Sequence, residues 1–194
     1  MTSALKYDYY YEDVRQEIIN GQIVMYAPPS ATPNHGSAGG NLFRILSVYL
    51  RRKTCRVYQG SVNVVLSEKD TFIPDIAVVC TPNIIKDKAI YGAPDMVAEI
   101  LSPSTARRDK GIKKDTYERY GVKEYWIINI ADKSIEVYLL EDGKYILDNV
   151  YIIYPEYLLE DMTDEEKARI PMEIKMSIFE DLFVSIEEVF EGLD

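Results

Sequence analysis

Between residues 96 and 130 the chain reads MVAEILSPSTARRDKGIKKDTYERYGVKEYWIINI. An apolar stretch, a charged stretch of helical length and a second apolar stretch follow one another with few connecting residues. Two strands joined this way lie parallel in one sheet, linked by a right-handed helical crossover. Pro103 ends the first strand, Ser104 or Thr105 caps the helix, and Gly121 closes it. Within the first strand, alternation places Val97 and Glu99 on one face, with Ala98 and Ile100 on the other. A carboxylate among such neighbours is costly unless it is paired, hydrogen-bonded or bound to metal. Glu99 is either half of a structural ion pair or part of a site.

The flanking sequence supplies the rest of a domain. Residues 10–20, YYEDVRQEIIN, predict a short helix ended by Asn20-Gly21, and QIVMYA predicts a strand stopped by Pro28-Pro29. A long helix follows His35, with Leu42, Ile45, Leu46 and Tyr49 at helical spacing and a basic end at Arg51-Arg52-Lys53. CRVYQG, SVNVVLS and FIPDIAVVC predict strands, and residues 82–94 a connecting loop with a helical turn. After the crossover, SIEVYLL and YILDNVYII predict strands turning at Ala131-Asp132-Lys133 and Glu141-Asp142-Gly143-Lys144. Two helices among about six to eight strands define an α/β domain bordering on α+β, a mixed β-sheet flanked by helices.

Composition bounds the partners. The 194 residues are 47% hydrophobic and 28% charged, enough for a packed core, and no apolar run reaches the ~20 residues that span a bilayer. The net charge of −10 is unevenly spread: residues 155–194 hold 13 acids and three bases, whereas residues 1–154 are balanced. We therefore divide the chain into a core over 1–154 and an acidic C-terminal extension over 155–194, packed on or appended to the same domain. An acidic protein ordinarily avoids nucleic acid, but that argument applies to the extension. Cys55 and Cys80 lie far apart without paired spacing and read as reduced thiols of a cytoplasmic protein. With one histidine, His35, any metal would be held by oxygen, which favours Mg²⁺ or Mn²⁺.

Three features converge on phosphodiester chemistry. Asp75 follows Pro74 at an irregular strand entrance, where the plain alternative is a turn aspartate. Glu99 is the strand acid described above. The segment RRDKGIKK, residues 107–114, carries five bases and one acid. A regular helix there aligns Asp109, Lys113 and Tyr117 along one stripe. Most of these bases read as a solvated face, but Lys113 is placed to look back at the strand ends. Two strand carboxylates and a lysine suit a divalent cation that polarises a phosphate and acidifies bound water. Serine catalysis is rejected, because SPST has no histidine base placed near it.

At these residues the chain also resembles a known family. PDIAVV, then PDMVAEILSPSTARRD, then KKDTYERYGVKEYWIIN is similar to the Uma-type family of bacterial proteins, within the restriction-endonuclease-like PD-(D/E)XK superfamily. The resemblance runs from EIINGQIVMYAPPSATPNH to YWIINI and more weakly through IFEDLF. It implies that Asp75 and Glu99 are metal ligands. The superfamily's lysine, two residues after the acid, is Leu101 here, so the resemblance requires another lysine: Lys113, with Lys114 second. Glu17 corresponds to the N-terminal helix acid that such proteins bring to the metal. His35 matches a histidine before the long helix, the alternative being that it caps that helix, and Gln59 and Tyr117 are accessory candidates. Arg107, Arg108, Lys110 and Lys114 are candidate phosphate contacts.

Two functions follow from different classes. One is a Mg²⁺- or Mn²⁺-dependent endonuclease acting on DNA, as a homodimer where both strands are cut. The other is a catalytically weak or inactive binding module of the same fold, whose acidic tail engages a basic protein partner. The tyrosine-rich N-terminus, YDYYYEDV, covers a sheet or an oligomer contact in preference to stacking bases.

Overall fold

A computed structural model describes residues 16–25 and 32–193. The tyrosine-rich N-terminus and the Pro28-Pro29 stop lie outside the described residues. The central element is a six-stranded sheet in the order β11-β10-β9-β8-β6-β3. Its members are β3 (Arg56–Gln59), β6 (Ile76–Val79), β8 (Met96–Ile100), β9 (Glu124–Asn129), β10 (Ser134–Glu141) and β11 (Lys144–Ile152). Strands β8 and β9 pair in parallel, Glu99 opposite Ile127, and every other pairing in this sheet is antiparallel. The crossover legible at 96–130 is thus the single parallel step of a mixed sheet. The β10–β11 turn is a two-residue one, with Asp142 and Gly143 at φ 48° and 78°, the left-handed conformation such a hairpin needs.

Alternation along the buried strands supplies two cores. One face carries Ile76, Val78, Met96, Ala98, Ile100, Trp126 and Ile128, and packs on Ala38, Leu42 and Leu46 of α1 (Pro33–Tyr49). The opposite face carries Ala77, Val97, Tyr125 and Ile127, and packs on Tyr117 and Val122 of the crossover and on Ile19 and Phe72. Glu99 belongs to this second face. Helix α1 begins with Thr32 as its cap, its hydroxyl accepting from the His35 amide at 3.2 Å, and Pro33 in the first turn. His35 therefore lies inside the first turn and does not cap it.

Three sequence expectations need correction. Residues 10–20 do not all form a helix. Gln16–Ile19 is a strand, β1, pairing antiparallel with β2 (Gln22–Met25) across Asn20 and Gly21, whose φ values are 51° and 78°. The Asn-Gly pair is a hairpin turn, not a helix cap. With β4 (Val64–Val65), β5 (Thr71–Phe72) and β7 (Ile90–Tyr91), these strands make a second, five-stranded sheet.

The crossover helix is also irregular. It runs as α2 (Ala106–Arg108), a kinked segment (Asp109–Lys113) broken at Gly111, whose φ is −114° and ψ −106°, and α3 (Lys114–Tyr120). The Thr116 hydroxyl bonds back to the Ile112 carbonyl at 2.6 Å, a contact that bends helices.

Finally, Cys55 and Cys80 are joined by a disulfide rather than standing as free thiols. They flank β3 and β6, where Arg56 pairs with Val79, so the antiparallel register sets them opposite each other on the next rung. Their 25-residue separation concealed a contact that register alone creates.

The acidic segment contributes to the main core. After the short helices α4 (Glu156–Leu159) and α5 (Asp164–Lys167) come a hairpin of β12 (Glu173–Lys175) and β13 (Phe183–Ser185), then α6 (Ile186–Val189). Ile174, Met176, Val184, Ile186, Val189 and Phe190 join the cluster formed by α1 and the central sheet. The buried Glu124 carboxylate accepts from Trp126 Nε1 at 2.7 Å and from the Ser177 amide at 2.8 Å, tying the hairpin to β9. No described helix is long and apolar enough to cross a membrane. Because the segment fills the core under α1, a chain ending at residue 154 is predicted to lose cooperative thermal unfolding by circular dichroism. A melt unchanged in midpoint would contradict this packing.

Candidate active site

The site begins with the ends of two neighbouring strands. Asp75 immediately precedes β6, and its Oδ2 accepts the Ile100 amide of β8 at 2.7 Å. That hydrogen bond locks the carboxylate against the strand that carries Glu99. Pro74 has no amide to place in a ladder, and the Asp75 carbonyl accepts from Gly60 instead, at 2.9 Å. His35 reaches the same carboxylate from α1, with Nε2 3.4 Å from Oδ2. Its pKa is raised, chiefly by the hydrogen bond to Asp75 and against the opposing effect of burial.

Glu99 lies one strand further into the sheet and is 3% exposed. Burial pushes its carboxyl well above the usual range, Lys113 opposes that shift, and Asp109, Asp75 and Glu17 add to it. Lys113 Nζ stands 3.0 Å from Glu99 Oε1, 2.9 Å from Glu17 Oε1 and 3.6 Å from Asp109 Oδ1. Glu99 Oε1 also accepts from the Tyr117 hydroxyl at 3.2 Å. The three anions hold the Lys113 ammonium charged despite its burial, with its pKa raised. Leu101, where the generic pattern has lysine, packs into the apolar face around Tyr117 and Phe72. The cation reaches Glu99 from the helix instead of from the strand.

Glu17 arrives by a route the sequence did not disclose, from strand β1 rather than from a helix. Its Oε1 accepts the Ile73 amide at 3.0 Å, while its buried Oε2 has no hydrogen-bond partner among the described residues. Among the described residues no group of three or more His, Cys, Asp or Glu side chains is arranged to hold a metal ion. The donors present are nevertheless all carboxylate oxygens, and one buried oxygen is unsatisfied. Mg²⁺ commonly takes one or two carboxylates, completing its shell with water and substrate phosphate. The residues thus fit a hard cation with an incomplete protein shell.

The outer candidates divide. Gln59 lies over α1, its Nε2 and the Ile100 Cδ1 each 3.2 Å from where a Cβ on Gly39 would stand. Arg107 is exposed and Arg108 half-buried. Lys110 pairs with Glu136, and the Lys114 ammonium sits 4.0 Å above the Tyr138 ring, so Lys114 does not enter the carboxylate cluster. Asp109, which the sequence places on a helical stripe with Lys113 and Tyr117, is 1% exposed and faces Lys113. Its signal was its spacing of four from the lysine.

A mixed sheet flanked by helices on both faces, with acids at adjoining strand ends, defines a restriction-endonuclease-like fold. Residues 4–166 match Uma2, a family described as "Putative restriction endonuclease", and the chain belongs to that family. It is 25% identical over 138 residues to the uncharacterized protein slr1290 of Synechocystis sp., covering 70% of this chain and 72% of that protein. A second Synechocystis sp. protein, sll1609, is 27% identical over 128 residues, with coverage of 64% and 71%. A crystal structure described as a "putative nuclease belonging to DUF820" from Anabaena variabilis superposes with a TM-score of 0.61 at 18% identity. That match covers 90% of this chain and 89% of the other, and shows the shared fold.

The His35–Asp75 contact carries a pH signature. A histidine whose folded pKa is raised stabilises the fold fully below its unfolded value of about 6.5, and loses that contribution as pH rises through the folded value. His35→Asn is therefore predicted to lower the melting temperature more at about pH 5.5 than at about pH 9. An equal loss at both would show that the pair does not titrate with folding.

Proposed function

We propose that this protein is a Mg²⁺- or Mn²⁺-dependent endonuclease that hydrolyses DNA phosphodiester bonds, with Asp75 and Glu99 as metal ligands and Lys113 as the catalytic lysine. The observation that carries this reading is the Lys113 ammonium 3.0 Å from the strand carboxylate Glu99, although the usual position two residues later is Leu101. A lysine delivered from the crossover helix supplies the missing charge. Family membership supports nuclease-like chemistry in the same direction.

Asp75 and Glu99 would hold the cation, with water and substrate phosphate completing its shell, while Glu17 Oε1 stays on Lys113. When bound, the cation supplies a Lewis acid for the phosphate and a bound water of lowered pKa. The chain's own groups do the rest. The Ile100 amide and His35 fix the orientation of Asp75. The Tyr117 hydroxyl holds one oxygen of Glu99. Lys113 places positive charge where negative charge develops on the phosphate, and it stays protonated because three carboxylates surround it. Arg107 and Arg108, at the start of the same helix, would meet the flanking phosphates, and Lys110 would join them by exchanging Glu136 for phosphate. Cleavage of both strands of a duplex would bring two copies together.

One observation favours the second reading, an inactive binding module with its acidic segment facing a protein partner. Lys113 and Glu99 already satisfy each other as a buried ion pair. Incubation of supercoiled DNA with the protein and its Glu99→Ala variant, in Mg²⁺, Mn²⁺ or EDTA, separates the two. The endonuclease reading predicts metal-dependent nicking that the variant loses by a factor of at least ~100. Equal nicking by both, or none by either, would contradict it, and the latter would leave the binding module.

A further inference from the structure

The sheet face that carries Glu99 holds a second group of charges, on β10, two strands away from β8. Glu136 and Tyr138 stand two residues apart on that strand and so share the face, where Tyr138 packs with Tyr145 against the apolar cluster. The crossover reaches them with Lys110 of the kinked segment and Lys114 at the start of α3, four residues apart. Lys110 Nζ meets Glu136 Oε1 at 2.5 Å, and the Tyr138 hydroxyl donates to Oε2 at 2.7 Å. The Lys114 ammonium, 4.0 Å from the centre of the Tyr138 ring, adds a second positive charge. Each oxygen of one carboxylate therefore has its own donor, with two cations beside it. Although partial burial acts the other way, the bonds from Lys110 and Tyr138 keep the Glu136 carboxyl below its usual range.

This arrangement is an anion seat filled by the protein's own anion. A backbone phosphodiester makes the same demand as a carboxylate, one negative charge and two oxygens that accept charge-assisted hydrogen bonds. The donors to Glu136 are side chains, which can re-aim at another anion. The Lys110 side chain is 45% exposed, and ion pairs of that kind add little net stability and exchange readily. Glu118 differs, because besides Lys144 it takes the Tyr145 main-chain amide at 2.7 Å and so fixes strand β11. We propose that Lys110, Lys114 and Tyr138 form a seat for one backbone phosphate of DNA, and that Glu136 is a built-in competitor that fills the seat in the free protein and limits affinity. The inference rests on the DNA reading above, to which it adds an inhibitory carboxylate, and it needs no metal.

Fluorescence anisotropy with a labelled DNA duplex in EDTA, over a range of NaCl concentrations, tests it without reliance on cleavage. Glu136→Gln keeps the shape and removes the competing charge. It is expected to tighten DNA binding by about 3- to 10-fold at low salt, and to steepen the slope of log K against log salt by about 1, as for one further phosphate contact. Adding Lys110→Met to Glu136→Gln should abolish most of that gain. Glu118→Gln removes the same charge away from the seat, and should change affinity by less than about twofold because solvent screens exposed charges at a distance. An equal gain from Glu118→Gln would overturn the proposal, since net charge alone would then account for it. Unchanged or weaker binding by Glu136→Gln, where the unaltered protein binds DNA, would overturn it too. Tighter binding of inorganic phosphate in calorimetry without a gain on DNA would assign the seat to free phosphate and overturn the DNA assignment. Absence of DNA binding by both the unaltered protein and Glu136→Gln would instead sink the DNA reading itself.

Discussion

Buried carboxylates and a buried ammonium are each expensive, and neither is stable at this depth without the other. The contact between Lys113 and the acids Glu17, Glu99 and Asp109 draws on three separate parts of the fold: the first hairpin, the central parallel strand and the crossover helix. Each element's position is therefore constrained by a charge as well as by apolar packing. On the same face, Phe72, Tyr117, Tyr125 and Ile127 exclude water around the cluster and so strengthen every electrostatic interaction within it. Asp75 completes the arrangement from the strand entrance, held by the Ile100 amide.

This geometry accounts for a departure that would otherwise count against the chemistry. A strand lysine two residues after Glu99 would share its face. Here Leu101 continues the apolar surface, and the charge comes from the helix that joins the two parallel strands. Asp109 and Lys113, four residues apart on this segment, both reach the cluster. In the proposed site the helix, not the strand, would deliver the lysine that meets Glu99.

Much of this was legible because the signals were local. The apolar runs of β8 and β9 around a helix specified the parallel step, and alternation assigned Glu99 to its face. Lys113 was identifiable from spacing, since a residue four beyond Asp109 and four before Tyr117 shares their side of a helix. What escaped was non-local. Glu17 was assigned to a helix because the Asn20-Gly21 signal serves both a cap and a hairpin, and only the pairing partner decides between them. The Cys55–Cys80 bond depends on the register of β3 against β6, which a 25-residue separation does not reveal. How the acidic segment packs was not legible, because Ile174, Val184, Ile186 and Val189 are scattered among its charges and find their core only through α1 and the sheet. Asp109 was visible as a charge, but its burial was not.

As proposed, this cluster is a metal centre completed by Lys113 from the crossover helix, not a self-contained ion pair. Crystals grown with Mn²⁺ and measured for its anomalous scattering test that claim most directly. A metal centre gives a single strong peak within coordination distance of both Asp75 and Glu99, with Lys113 still beside Glu99. No peak there at saturating Mn²⁺, or a peak held by other carboxylates, would contradict it.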